Sequence, residues 1–218
     1  MSDFRMKILV LGVVQTNCYI ISNEENKEAI VIDPADDADK IEQYLTANDL
    51  VCKGILLTHG HFDHIMAAKE LAVFSKVQIY AHEDELKLLK DPDMNASSHV
   101  NREYSLVPNI LLKDNEILVI AGFTIKVIHT PGHTNGGTCY HFIDHGVLIS
   151  GDTLFHQGIG RSDLPTGDGS VLVDSIRKKL MPLEDQVIVY PGHGRATTIG
   201  YERNNNVYIS SNPNLFDL

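Results

Sequence analysis

Cysteine is scarce and scattered, with only Cys18, Cys52 and Cys139 in 218 residues. Their odd number, wide spacing and lack of a C-x-x-C pair argue against a disulfide framework. Each lies in or beside an apolar run, where cysteine behaves as a small hydrophobe, so a catalytic thiol is given little weight. Long apolar stretches are also missing. None approaches the roughly 18 residues needed to span a bilayer. Met1–Arg5 opens without the apolar segment and small-residue cleavage site of a secretory signal. The expectation is therefore a cytoplasmic protein with no membrane partner. Positive charge is in deficit, with 18 Lys and Arg against 29 Asp and Glu and a net charge of −11, which disfavours nucleic acid. No linker, low-complexity tract or close repeat divides the chain. Its length suits one substantial core rather than two, so a single domain over residues 1–218 is expected.

Histidine is what the chain has in an unusual arrangement. Thr58-His59-Gly60-His61-Phe62-Asp63-His64 gathers three imidazoles and a carboxylate between an apolar strand-like run, Gly54–Thr58, and a helix-like run from Ile65. Three later apolar runs each end in a Gly or Pro-Gly turn that delivers one more candidate ligand. These are Thr124–His129 before Thr-Pro-Gly-His133, Gly146–Ser150 before Gly-Asp152, and Gln186–Tyr190 before Pro-Gly-His193. Taken singly, each histidine is an ordinary turn residue; the set at this spacing points to a metal site on one edge of a sheet system. Neutral imidazole and carboxylate suit zinc, iron or manganese, and the absence of a nearby thiolate argues against a soft-metal site. Of the other histidines (His82, His99, His129, His141, His145 and His156), only His156 is expected to line the site. Asp63 has a second expected role as a helix N-cap.

The remaining patterning predicts an opening hairpin over Lys7–Leu11 and Asn17–Ile21, a strand over Glu28–Ile32 and a helix over Ala38–Ala47. It then predicts a helix over Asp63–Phe74, a strand over Val77–Tyr80, and helices over Glu83–Lys90 and Val171–Leu180. Asp91–Asn109 lacks clean periodicity and is expected as an active-site flap. Strands interleaved with helices in two similar halves predict two sheets face to face with helices outside.

His59-x-His61-x-Asp63-His64, His133 in T-P-G-H-T, Asp152 in S-G-D-T and His193 in P-G-H-G together resemble the metallo-β-lactamase superfamily. The resemblance implies an α/β fold of the αββα sandwich type, two mixed β-sheets packed face to face, with the metal site at one edge. Within the superfamily the chain is most similar to short bacterial glyoxalase II-like hydrolases, through Gly151–Phe155, Gly158–Arg161 and Tyr190–Gly194. That pattern assigns His59, His61 and His133 to one divalent ion and Asp63, His64 and His193 to a second, with Asp152 bridging. Zinc is favoured, with iron or manganese as alternatives. Asp63 and Asp152 are the expected catalytic carboxylates.

The implied activity is hydrolysis of a thioester, possibly S-lactoylglutathione, by a hydroxide held between the ions. Arg161 stands where the family carries a basic residue that meets the glutathione carboxylate, and an ion pair with Asp163 or Asp168 is its other reading. Asp163 and Arg195 replace aromatic residues of the longer enzymes, whose C-terminal helical domain is not expected here. Persulfide dioxygenases, which hold one iron through residues matching His59, His133 and Asp152, give a rival reading. A metal-stabilised binding module is a third.

Overall fold

The computed structural model describes residues 4–209. In the first half, β1 (Phe4–Leu11), β2 (Thr16–Asn23) and β3 (Glu28–Ile32) form an antiparallel meander. Helix α1 (Ala38–Ala47) then crosses over to β4 (Val51–Leu56), parallel to β3. Helices α2 (Phe62–Ile65) and α3 (Ala68–Ser75) lead to β5 (Ile79–His82). A 3-10 turn over Glu83–Glu85, α4 (Leu86–Lys90) and β6 (Ile110–Leu112) follow, giving a sheet in the order β1-β2-β3-β4-β5-β6.

The second half supplies β7 (Ile117–Ile120), β8 (Phe123–His129), β9 (Thr138–Phe142) and β10 (Val147–Gly151), then a small hairpin of β11 (Leu154–Phe155) and β12 (Gly158–Ile159). Helix α5 (Gly169–Ser175) continues as a π-helical turn to Leu180, and β13 (Ile188–Pro191), β14 (Thr197–Thr198) and α6 (Ile199–Asn205) complete the described chain. The second sheet runs β14-β13-β10-β9-β8-β7, with β10 and β13 parallel and the other pairs antiparallel.

The two-residue period of a strand sorts side chains to opposite faces. Tyr19, Ile21, Ile30 and Ile32 from the first sheet pack with Phe123, Ile125, Val127, Tyr140 and Ile149 from the second. Their alternates Cys18, Ile20, Ala29 and Val31 pack with Ile41 and Leu45 of α1 and Leu71 of α3. Behind the second sheet, Ile128, Cys139, Leu148 and Val189 meet Leu172 of α5 and Ile176 and Leu180 beyond it. Each fully buried aliphatic or aromatic side chain stabilises the fold by about 1.5–3 kcal/mol. The layers are helix, sheet, sheet, helix, as the sequence predicts. All three cysteines are free and buried within these cores.

One expectation needs correction. The helix predicted over Asp63–Phe74 is broken at Met66–Ala67, because the Ala67 N–H donates to Pro34 O at 3.0 Å instead of continuing the ladder of α2. The Asp91–Asn109 segment is irregular apart from a 3-10 turn over Ser97–Val100 and is bonded to its neighbours. Asn95 O accepts the Phe62 N–H at 2.9 Å, Asn95 Nδ2 donates to Tyr104 O at 2.8 Å, and the Leu106 N–H donates to Leu89 O at 2.7 Å.

Candidate metal centre

The turn after β4 carries His59 and His61, and α2 carries Asp63 and His64 on its first turn. His133 lies between β8 and β9, Asp152 directly follows β10, and His193 follows β13. All seven predicted ligands meet at one end of the two sheets. Their donor atoms form three overlapping groups, each within 4.8 Å: His59, His61 and His133; His59, His64 and Asp152; and Asp63, His64 and His193.

Hydrogen bonding fixes which nitrogen of the His59, His133 and His64 rings faces inward. Thr58 Oγ1 donates to Asp33 Oδ2 at 2.6 Å, so its lone pair accepts from His59 Nδ1 at 3.1 Å. His133 Nδ1 donates to Arg161 O at 2.7 Å. The bare Nε2 atoms of these two rings therefore face each other at 3.2 Å, with His61 Nδ1 3.0 Å from His133 Nε2. His64 Nδ1 donates to Asp33 Oδ2 at 2.9 Å, which turns its Nε2 toward Asp152 Oδ1 at 3.4 Å and Asp63 Oδ2 at 3.5 Å. His64 Nε2 and Asp152 Oδ1 are buried without a hydrogen-bond partner. Buried acceptors that converge on one another are costly unless a cation joins them. The donor set, imidazole nitrogen and carboxylate oxygen without thiolate, fits divalent metal ions. Asp152 touches both ends of the cluster, with Oδ1 near His64 and Oδ2 3.7 Å from His133 Nε2 and 3.5 Å from His193 Nε2.

Electrostatics follow the same division. Burial pushes His59 well below its ordinary pKa, and burial with the neighbouring His133 pushes His61 down to about 3. Burial opposes a charge on His64 as well, but Asp63, Asp152 and Asp33 outweigh it and hold its pKa well above the ordinary value. A proton on His64 thus answers the demand that a metal cation would answer, and metal uptake displaces such protons.

Several supporting residues went unnoticed in the sequence. Asp33, fully buried, holds Thr58 through its N–H and hydroxyl as well as His64. Thr16 Oγ1 donates to Asp63 Oδ2 at 2.9 Å. Asn17 Nδ2 donates to Pro191 O at 3.0 Å and Gly194 O at 2.9 Å, bracketing His193. A strand ending in Asp33-Pro34, like the one ending in Gly151-Asp152, was the available signal.

Other expectations are corrected. Asp63 is not a helix cap, since the N-cap position of α2 is His61 and the Asp63 carboxylate points into the cluster. His156 does not line the centre. Its ring stacks on Tyr201 at 4.9 Å and pairs with Arg195, beside Thr197 in a neighbouring groove. Arg161 lines the central pocket and is bound bidentately by Asp163, with both contacts at 2.7 Å. A fourth group, His82, Asp84 and His129, is unsuited to a metal. The two rings stack at 3.8 Å and 12°, and His129 Nε2 is bonded to Asn135 O at 2.7 Å, so their lone pairs do not converge.

A cavity of about 440 Å³ opens over the centre, lined by His61, Asp63, His133, Asp152 and His193, with Val14, Phe62, Ala96, Phe155 and Leu164 as apolar walls. Functional pockets commonly pair such walls with a few convergent polar groups.

Comparison with known proteins agrees with this architecture. A sequence model of the metallo-beta-lactamase superfamily matches residues 11–193. A hydroxyacylglutathione hydrolase, GloC of Haemophilus influenzae, is 38% identical over 211 residues, covering 94% of this chain and 98% of that protein. The crystal structure of BLEG-1, a B3 metallo-beta-lactamase, superposes with a TM-score of 0.88 at 40% identity, covering 97% of this chain and 100% of the other. That of TTHA1623 in a di-iron-bound form gives a TM-score of 0.83 at 31% identity, covering 93% and 100%. From motif order, sheet order and these matches together, the chain belongs to the metallo-beta-lactamase superfamily.

Proposed function

We propose that this protein is a dinuclear metal-dependent thioester hydrolase whose substrates are hydroxyacyl thioesters of the S-lactoylglutathione type. The observation that carries this reading is the pair of donor groups, His59/His61/His133 and Asp63/His64/His193, joined at Asp152. Two bound divalent ions, zinc foremost and iron or manganese as alternatives, would supply Lewis acidity toward the carbonyl and an acidified water.

The chain's own residues set up the rest. Asp152 lies between the groups and keeps them at one separation. Asp63 is held ionised despite its burial by His64, His193 and the Thr16 hydroxyl, so at the floor of the pocket it would serve as a fixed anionic ligand of the second ion. Val14, Phe155 and Leu164 would offer apolar walls to the acyl group. Arg161 at the rim would meet an anionic substrate tail by exchanging its bond to Asp163. The identity of the GloC relative supports the choice of a glutathione thioester. A single-iron oxygenase would use His59, His133 and Asp152 alone, with Asp63, His64 and His193 paired through ring protons, and metal stoichiometry separates the two readings.

The test combines metal content of protein purified without added metal with S-lactoylglutathione hydrolysis. Two ions per chain and turnover are expected. His61→Ala or Asp152→Ala should lower kcat/KM by at least about 10³-fold with the fold intact. One iron per chain with oxygen uptake, or a variant that keeps most of the rate, would overturn the proposal.

A further inference from the structure

Glu85 is a buried carboxylate, 1% exposed, with no Lys or Arg partner among the described residues. Oε1 accepts the Gly60 N–H at 2.7 Å, and Oε2 accepts the Gly136 N–H at 2.7 Å. Gly60 sits between His59 and His61, and Gly136 lies three residues after His133. One side chain therefore ties together the two loops that supply the first donor group.

The segment carrying Glu85 is shaped for this task. Glu85, Leu88 and Leu89 share one helical face by their i, i+3, i+4 spacing. A Cβ on Gly60 would come within 2.8 Å of Leu88 and 2.9 Å of Leu89, and one on Gly136 within 2.4 Å of the Glu85 backbone nitrogen. Both loops rest on that face at backbone contact, which only glycine permits. An unpaired carboxylate is an expensive brace for a core. What it provides is two anchors at a fixed span, between loops whose three nitrogens must converge on one point to within a few tenths of an ångström. The second donor group has braces of its own in Thr16, Asn17 and Asp33, the last of which also reaches His59 through Thr58, and none of them touches Glu85.

We infer that Glu85 is a positioning residue that sets the geometry of the His59/His61/His133 group independently of the Asp63/His64/His193 group. This rests on the two-ion reading above. The test is a zinc titration against a chromophoric chelator for wild type and Glu85→Gln, with amide hydrogen exchange at Gly60 and Gly136. Glutamine keeps the shape but turns one acceptor into a donor, so one anchor is lost.

In the variant, one zinc should bind about 10- to 100-fold more weakly, in the range typical for loss of a supporting partner of metal ligands. The other should stay within about threefold, and exchange at the two glycine amides should rise. Unchanged affinity for both ions, or an equal loss at both, would overturn the inference. If Glu85→Gln does not fold, Glu85→Asp serves, since it keeps the charge but is too short to span both amides, and the same outcomes decide. A wild-type protein that binds one ion would count against the two-ion reading instead. The clamp is then judged on the affinity of the ion held by His59 and His133.

Discussion

At Asp33 one buried carboxylate accepts three hydrogen bonds, from the Thr58 N–H, Thr58 Oγ1 and His64 Nδ1. It fixes the tautomer of His64 and, through Thr58, that of His59. Asp33→Asn keeps the volume but turns one acceptor into a donor. The expected result is a stability loss of about 1–3 kcal/mol in urea unfolding and a 10- to 100-fold weaker second ion in zinc titration. A variant with wild-type metal affinity would show that His64 needs no such orienting partner.

His82 makes a different prediction. Burial and the stacked His129 ring push its pKa down to about 4, below the ordinary 6.5. The folded state therefore favours the neutral ring. The stability it contributes is complete above pH 6.5 and is lost as pH falls through 4. Relative to His82→Gln, wild type should lose roughly 3 kcal/mol between pH 7 and about 3.5, and a wild-type-minus-variant difference that stays flat over that range would refute this. At this scale the candidate ligands were readable in the sequence because each group follows an apolar run, with a Gly or Pro-Gly turn before His133, Asp152 and His193. Asp33, Thr16 and Asn17 were not, since an isolated polar residue at a strand end carries no local mark of what it will touch.

Among elements, β2 does more than fill the first sheet. Its polar start serves the centre twice: Thr16 meets Asp63 within the first half, and Asn17 joins the halves by holding both sides of the β13 loop, with the Asn17 N–H donating to Gly192 O at 2.7 Å. Asn17→Ala should therefore lower stability by about 1–3 kcal/mol and free the His193 loop, raising its amide exchange while the His59 loop is unchanged. Equal protection of the His193 loop in both proteins would argue against that role. Strand and helix existence followed the sequence periods closely, with α1 falling on Ala38–Ala47 as predicted. The break between α2 and α3 was invisible, because it depends on an amide captured by Pro34, a residue distant in sequence. The anchoring of Asp91–Asn109 was hidden for the same reason, resting on Phe62, Leu89 and Tyr104.

Over the whole molecule, the described residues hold no helix long and apolar enough to cross a membrane, and the two sheets enclose one face of each in a shared core. The metal centre sits where the ends of both sheets meet, so its acceptors oppose one another across the join between the halves. Chelation should therefore lower the melting temperature of the protein, and added zinc should restore it in proportion to ligand linkage, by about 2.7 kcal/mol at a hundredfold excess over Kd. A melting temperature indifferent to chelator would mean that the centre does not bridge the halves energetically.

The sequence alone determined the layered α/β architecture and the seven candidate ligands, because periodicity and turn chemistry are local and survive in one dimension. Only the tertiary structure decided which nitrogens of His59, His64 and His133 face inward, that Asp63 is no cap, that His156 belongs to a neighbouring groove, and that Glu85 bonds Gly60 and Gly136 while Asp33 bonds Thr58 and His64. Those outcomes depend on hydrogen bonds between residues far apart in the chain, and burial gives such bonds their energy.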